Sequence, residues 1–259
     1  MKALRRLVVL TSVFIASCSS GSSNTMPAET TTTDISTTTS TEILTNSTET
    51  SSEIAVDSST TAAKSAQSTF TAEVWADNWF SLYINGKLVG EDSVPITTEK
   101  SFNSERITFT ASYPFTIAMV TKDFKQNDTG LEYIGTDRQQ MGDGGFIAQF
   151  TDTSTGRVVA TTSSAWHGLV IHQAPLNTSC EKSSKPEVDC TSKISEEPTG
   201  WTQPTFSDAS WPAATVYSKE AVGVKDGYNN ISWSSNAQLI WTSDLKIDNT
   251  ILWRYTVKA

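Results

Sequence analysis

From Phe70 to the C-terminus the apolar residues recur at every second position in short runs, and a period of two belongs to strands, not helices. Phe80-Ser81-Leu82-Tyr83-Ile84 alternates in this way, as do Ile107-Thr108-Phe109, the set Phe115, Ile117 and Met119, and Ile251-Leu252-Trp253-Arg254-Tyr255-Thr256-Val257. No segment carries the 3.6-residue period of a long amphipathic helix. Turn residues separate the runs at Asn85-Gly86, Gly142-Asp143-Gly144-Gly145, Ser154-Thr155-Gly156 and Asp248-Asn249. The pattern predicts an all-β jelly-roll sandwich, two sheets packing their apolar faces together. All eight tryptophans and every phenylalanine except Phe14 lie in this stretch, so one domain is expected over 70–259, with a loop insertion over 175–201.

The preceding segment, 18–69, has the opposite character. More than half of its residues are Ser or Thr, in runs such as Thr30-Thr31-Thr32-Thr33 and Ser36-Thr37-Thr38-Thr39-Ser40. Its apolar residues are scattered and mostly small, too few to offset the entropy of ordering the chain. A disordered linker is expected, and about 50 flexible residues would have a root-mean-square span near 40 Å.

Residues 1–17 have the parts of an export signal: basic Lys2, Arg5 and Arg6, an apolar run from Leu7 to Ile15, then small residues. That run falls short of the roughly 20 residues needed to cross a bilayer. The sequence Phe14-Ile15-Ala16-Ser17-Cys18 resembles the lipobox of bacterial lipoproteins. The resemblance implies lipidation at Cys18 after cleavage and a membrane attachment in the cell envelope. With Ser19 in the next position, it implies the outer membrane in a Gram-negative host. Loss of the three basic residues takes the net charge from −9 to −12. Nucleic-acid affinity rests on basic groups neutralising phosphates, so nucleic acid is not an expected partner.

With Cys18 assigned to lipid, Cys180 and Cys190 remain as an even pair in a compartment that permits disulfides. A redox or metal role fits them less well, because the spacing is not Cys-x-x-Cys and no histidine lies between them. They are expected to staple the insertion.

Three further pieces carry a fold resemblance. Ala76-Asp77-Asn78-Trp79-Phe80-Ser81-Leu82-Tyr83-Ile84-Asn85-Gly86-Lys87 is similar to the opening hairpin of galactose-binding-domain-like jelly rolls. Phe206-Ser207-Asp208-Ala209-Ser210-Trp211 is similar to their Asp-x-Ser-Trp segment, although Ser207 stands where a second acidic residue is frequent. Ile240-Trp241 and Leu252-Trp253-Arg254-Tyr255 match the aromatic closing strands. The resemblance implies a jelly roll over nearly all of 70–259 and relatives that include noncatalytic carbohydrate-binding modules. Fold alone does not assign function.

Catalysis finds little support in the residues. Only His167 and His172 are present, five apart on an expected strand, and no Gly-x-Ser-x-Gly motif occurs. The most unusual polar stretch runs from Lys122 to Gly145 and contains Asp123, Arg138 and Asp143 among amides and glycines. It is a candidate sugar locus, or a place for a structural calcium ion, although its spacing is not an EF-hand; the plainer alternative is a solvated loop. Sugar stacking would need exposed aromatic faces. Trp79 beside Asp77, together with Trp166 and Trp233, are the candidates, with core or rim packing as the plainer alternative for each, while Trp211, Trp241 and Trp253 are expected to fill the core. The expected function is a surface-displayed, noncatalytic carbohydrate-binding module. The alternative is an envelope lipoprotein that docks a protein partner.

Overall fold

The computed structural model describes residues 66–96, 103–123 and 125–259. The signal sequence, Cys18 and the linker up to residue 65 lie outside the described residues. In chain order the strands are β1 (Ser68–Asp77), β2 (Trp79–Ile84), β3 (Lys87–Glu91), β4 (Ser104–Ala111), β5 (Phe115–Lys122), β6 (Leu131–Glu132) and β7 (Gln140–Met141). They continue with β8 (Gly145–Asp152), β9 (Val158–Thr161), β10 (His167–Gln173), β11 (Lys193–Ile194), β12 (Thr215–Tyr217), β13 (Leu239–Trp241) and β14 (Asp248–Val257). The two α-helices, α1 (Pro186–Asp189) and α2 (Lys219–Val222), are single turns.

Twelve of these strands form two six-stranded antiparallel sheets. One runs β12-β13-β8-β1-β4, with β9 also paired to β8; the other runs β11-β10-β14-β5-β2-β3. Alternation explains why they face each other. Phe70, Val74, Phe109, Phe146 and Phe150 of the first sheet meet Phe80, Leu82, Ile117, Met119 and Trp253 of the second in one buried cluster. The all-β sandwich expected from the period-two runs is present. So is the tight hairpin: Asn85 and Gly86 both have positive φ, 48° and 82°, the backbone that a two-residue turn between β2 and β3 requires.

Both outer faces are covered as well. Trp201 and Trp211 pack over Ala118, Val120 and Leu252 on one sheet, and Val222 and Tyr228 over Trp75 and Ile147 on the other. The Asp-x-Ser-Trp segment has its role there. Asp208 lies 3.4 Å from Nε of buried Arg254, whose guanidinium also donates to the carbonyls of Trp201 and Phe206. A buried guanidinium needs such partners, and these fasten the covering segment to β14.

One turn signal is overturned. Asp248 and Asn249 open β14 and are buried. Their side chains bond to neighbouring segments: Asp248 accepts from Gln173 Nε2 at 2.7 Å and Thr242 Oγ1 at 2.6 Å, and Asn249 donates to the Ala174 carbonyl at 2.6 Å. Side-chain chemistry that favours turns is equally able to knit a strand end to its surroundings.

Registers place the functional loops. Asp77 pairs with Gly145, Trp79 with Lys122, and Lys122 and His172 both with Thr250. The segments 123–145 and 174–192 therefore leave from the same end of the sandwich, whereas the chain enters β1 at the other end, where Ser68 pairs with Ala111.

Candidate functional site

The two segments build a polar cleft at their shared end. In the first, β6 and β7 pair as a short ribbon, and Thr136 folds the turn between them by donating its N–H and hydroxyl to the Tyr133 carbonyl at 3.1 and 2.7 Å. At the base, Gly130 has φ +70°, and a Cβ there would lie 2.1 Å from the Ala174 carbonyl oxygen. Only glycine lets the ribbon seat against the root of the second segment.

The second segment is the insertion, closed by the Cys180–Cys190 disulfide with Cα atoms 5.2 Å apart. Asn177 braces it from inside. Its Nδ2 donates to the Asp189 carbonyl at 2.6 Å, and its Oδ1 accepts from Thr191 N and Oγ1 at 2.7 and 2.8 Å.

Gln139 joins the two walls. Its Nε2 donates to the carbonyls of Glu181 and Ser183, both at 2.8 Å, and its Oε1 accepts the Gly135 N–H at 2.9 Å. In return Lys182 Nζ donates to the Gln139 carbonyl at 3.0 Å. The side chain is buried, with both amide atoms bonded, so it is a structural clamp and not a free recognition group.

Between the walls lies a cleft of about 530 Å³ lined by Thr136, Asp137, Gln139, Lys182, Ser183 and Ser184. Its surface offers a carboxylate, an ammonium and hydroxyls, with no aromatic face. The size falls within the usual range for small-molecule sites, but the lining is more polar than most. Such a surface can exchange directional hydrogen bonds with a polyhydroxyl ligand.

The residues singled out from sequence are dispersed. Trp166 is inside the sandwich and wholly buried, not in an exposed loop: it stacks on Tyr255 at 5.5 Å and donates Nε1–H to the Thr161 carbonyl at 2.9 Å. Large aromatics gain most from burial, and that preference overrides its polar neighbours. Trp233 is half-buried against Tyr228 and donates to the Tyr228 carbonyl at 3.0 Å. Trp79 is half-buried on the other sheet, with the Lys122 ammonium 5.0 Å from its ring. Arg138 is exposed beside the cleft and lies over the Tyr133 ring at 4.4 Å. Asp123 is buried against Gly142, where a Cβ would come within 1.8 Å of its carboxylate.

Asp77 and Asp143 do meet, through Lys225, a residue with no local pattern to mark it. Lys225 Nζ lies 3.0 Å from Asp77 Oδ2 and 3.0 Å from Asp143 Oδ1. Burial pushes the Asp77 carboxyl up to about 8, against the pull of Lys225 and with the charge of Asp143 adding to the rise. Burial alone would lower Lys225, but the two carboxylates outweigh it and hold the amine above its usual value. Those tendencies compete for one proton. The rise of Asp77 is the firmer, because its side chain has no exposure whereas that of Lys225 is 32 % exposed. A carboxyl raised by burial beside a second carboxylate is a pattern found in acid–base sites, but Asp77 reaches no cleft surface and an ammonium already bridges the pair.

The same ammonium bears on calcium. It bridges Asp77 and Asp143, and among the described residues no group of three His, Cys, Asp or Glu is placed to hold a metal ion. His167 and His172 are not neighbours in function either: one faces Asp208 at 3.7 Å, the other the Asp128 carbonyl at 3.4 Å.

No family model, curated protein or solved structure matches the chain.

Proposed function

We propose that the chain is a surface-displayed, noncatalytic binding module for carbohydrate, attached to the cell-envelope membrane through lipid on Cys18. The observation that carries this reading is the polar cleft, whose two walls are joined by Gln139 and one of which is stapled by the disulfide. A preformed wall spends little free energy on ordering when a ligand binds. Thr136, Asp137, Lys182 and Ser183 supply donors and acceptors suited to sugar hydroxyls. The net charge of −12 left after loss of Lys2, Arg5 and Arg6 favours neutral sugars over polyanions. The domain is entered at the end opposite the cleft, which suits display from a tether. Recognition by the cleft takes the place of stacking on a loop tryptophan. The galactose-binding-domain-like resemblance supports the same class of function.

The test is a glycan-array screen of the full-length, detergent-solubilised protein. Saturable binding to neutral saccharides is expected. No binding to any saccharide would overturn the reading.

A second reading has its own observation. Leu176, Val188 and Ile194 are exposed at 49 %, 78 % and 57 %, and all three lie in the insertion. Exposed apolar side chains gathered on one segment suit a protein partner in the envelope. One stoichiometric protein co-purifying from membranes, and lost with Val188→Asp, would favour this reading.

A further inference from the structure

A second cluster of oxygen groups lies where the chain crosses from one sheet to the other. β3 ends at Glu91 in one sheet and β4 begins at Ser104 in the other. Asp92, the residue after β3, is fixed by its N–H donating to the Phe80 carbonyl at 2.9 Å. Asn103 and Glu105 sit at the start of β4. Glu105 pairs with Val74, and its neighbours in the same row, Ile107, Phe109 and Ala111, pair with Ala72, Phe70 and Ser68. Val74, Ala72 and Phe70 are core residues, and registered partners share a face of the sheet. Glu105 is thus a carboxylate on the core-facing row, at the rim of the sandwich.

The polar atoms there are crowded and incompletely satisfied. Ser93 Oγ and Asn103 Nδ2 both converge on Glu105 Oε1, each at 2.5 Å, and Ser93 N–H donates to it at 3.2 Å. Asp92 is 5 % exposed. Its Oδ1 accepts the Val94 N–H at 2.8 Å, but Oδ2 is buried with no hydrogen-bond partner, and so is Asn103 Oδ1. The Asn103 amide lies near enough to favour the charged carboxylate of Asp92 without reaching bonding geometry at Oδ2. Among the described residues Glu105 is the charged side chain that acts on Asp92, and it acts as a like charge. Among the described residues these two carboxylates have no cation against them, and two acceptors, Asp92 Oδ2 and Asn103 Oδ1, have no donor, a costly arrangement in a protein alone. A hard divalent cation answers both the like charges and the open acceptors.

We propose that Asp92, Ser93, Asn103 and Glu105 form a calcium-binding site that ties the end of β3 to the start of β4. Calcium takes oxygen ligands in a flexible shell, and a carboxylate pair with an amide and a hydroxyl supplies the charge and the donor type it requires. The site is separate from the cleft and stands whatever the cleft binds. Its role is structural: it fastens the crossing between the sheets at the end that carries the cleft.

Calorimetric titration of CaCl₂ into the EDTA-treated, full-length protein in detergent tests it. One equivalent is expected to bind with Kd on the order of 10⁻⁵ to 10⁻³ M, more tightly than magnesium, and to raise the melting temperature. Glu105→Gln, at the less buried carboxylate, weakens binding at least about tenfold, the loss of one charged ligand. Asp92→Asn weakens it further; should that variant not fold, Glu105→Gln alone decides. Absence of saturable heat, equal affinity for magnesium, or calcium binding unchanged in folded Glu105→Gln would each overturn the assignment.

Discussion

Replacing Gln139 by leucine keeps the approximate volume of the side chain and removes every hydrogen bond its amide makes. Three are lost: two donated across the cleft to Glu181 and Ser183, and one accepted from Gly135. A neutral bond contributes about 1 kcal/mol net, so the clamp contributes about 3 kcal/mol to the closed state. The core clusters of the sandwich do not include Gln139, so the loss falls on local opening of the two walls. At about 1.4 kcal/mol per factor of ten, amide hydrogen exchange in 130–142 and 178–190 should quicken roughly a hundredfold, while amides of β1, β5 and β14 keep their protection. Hydrogen-exchange mass spectrometry of wild type and Gln139→Leu reads this directly. Unchanged exchange in both walls would refute the clamp. Loss of protection throughout the sheets would refute its local character.

Replacing both Cys180 and Cys190 by serine releases the loop between them and costs about 3 kcal/mol in the chain-entropy account; thermal melting and exchange in 178–190 measure it, and glycan affinity should fall in parallel. The Asp77 carboxyl, raised by burial to about 8, keeps a proton in the folded state that the unfolded chain gives up near 4. That contribution is full at pH values below about 4 and is lost as the pH rises toward about 8, so Asp77→Asn should remove a decline in unfolding free energy across that window, as read by urea titrations at several pH values. Trp166→Ala removes a wholly buried side chain and should cost about 3 to 5 kcal/mol, whereas Trp79→Ala, at a half-buried site, should cost less; calorimetric melting separates them.

Much of the sandwich was legible because period-two alternation reports directly which side chains face the core. Phe80, Leu82 and Ile84 are buried as their spacing requires, and Asn85-Gly86 makes the turn its backbone freedom suggests. The disulfide followed from counting cysteines. What resisted reading was contact between distant segments. Asp77 and Asp143 were noticed separately, but Lys225, which joins them, sits in a loop far along the chain with no periodicity to mark it. The polar stretch around Arg138 and the stapled insertion were each recognisable. Their meeting across Gln139 depends on β5, β10 and β14 ending together, a matter of register and not of local pattern. For Trp166 the choice between an exposed face and the core could not be made from its polar neighbours, because its burial is decided by the sheet opposite.

The most direct test of the account is a calorimetric titration of the tightest-binding saccharide from the array against wild type and Asp137→Ala, a cleft residue that makes no bond to the clamp. The account predicts at least a tenfold loss of affinity with the fold intact by circular dichroism, the equivalent of about 1.4 kcal/mol. Equal affinity in the two proteins would place recognition elsewhere on the domain and contradict the cleft.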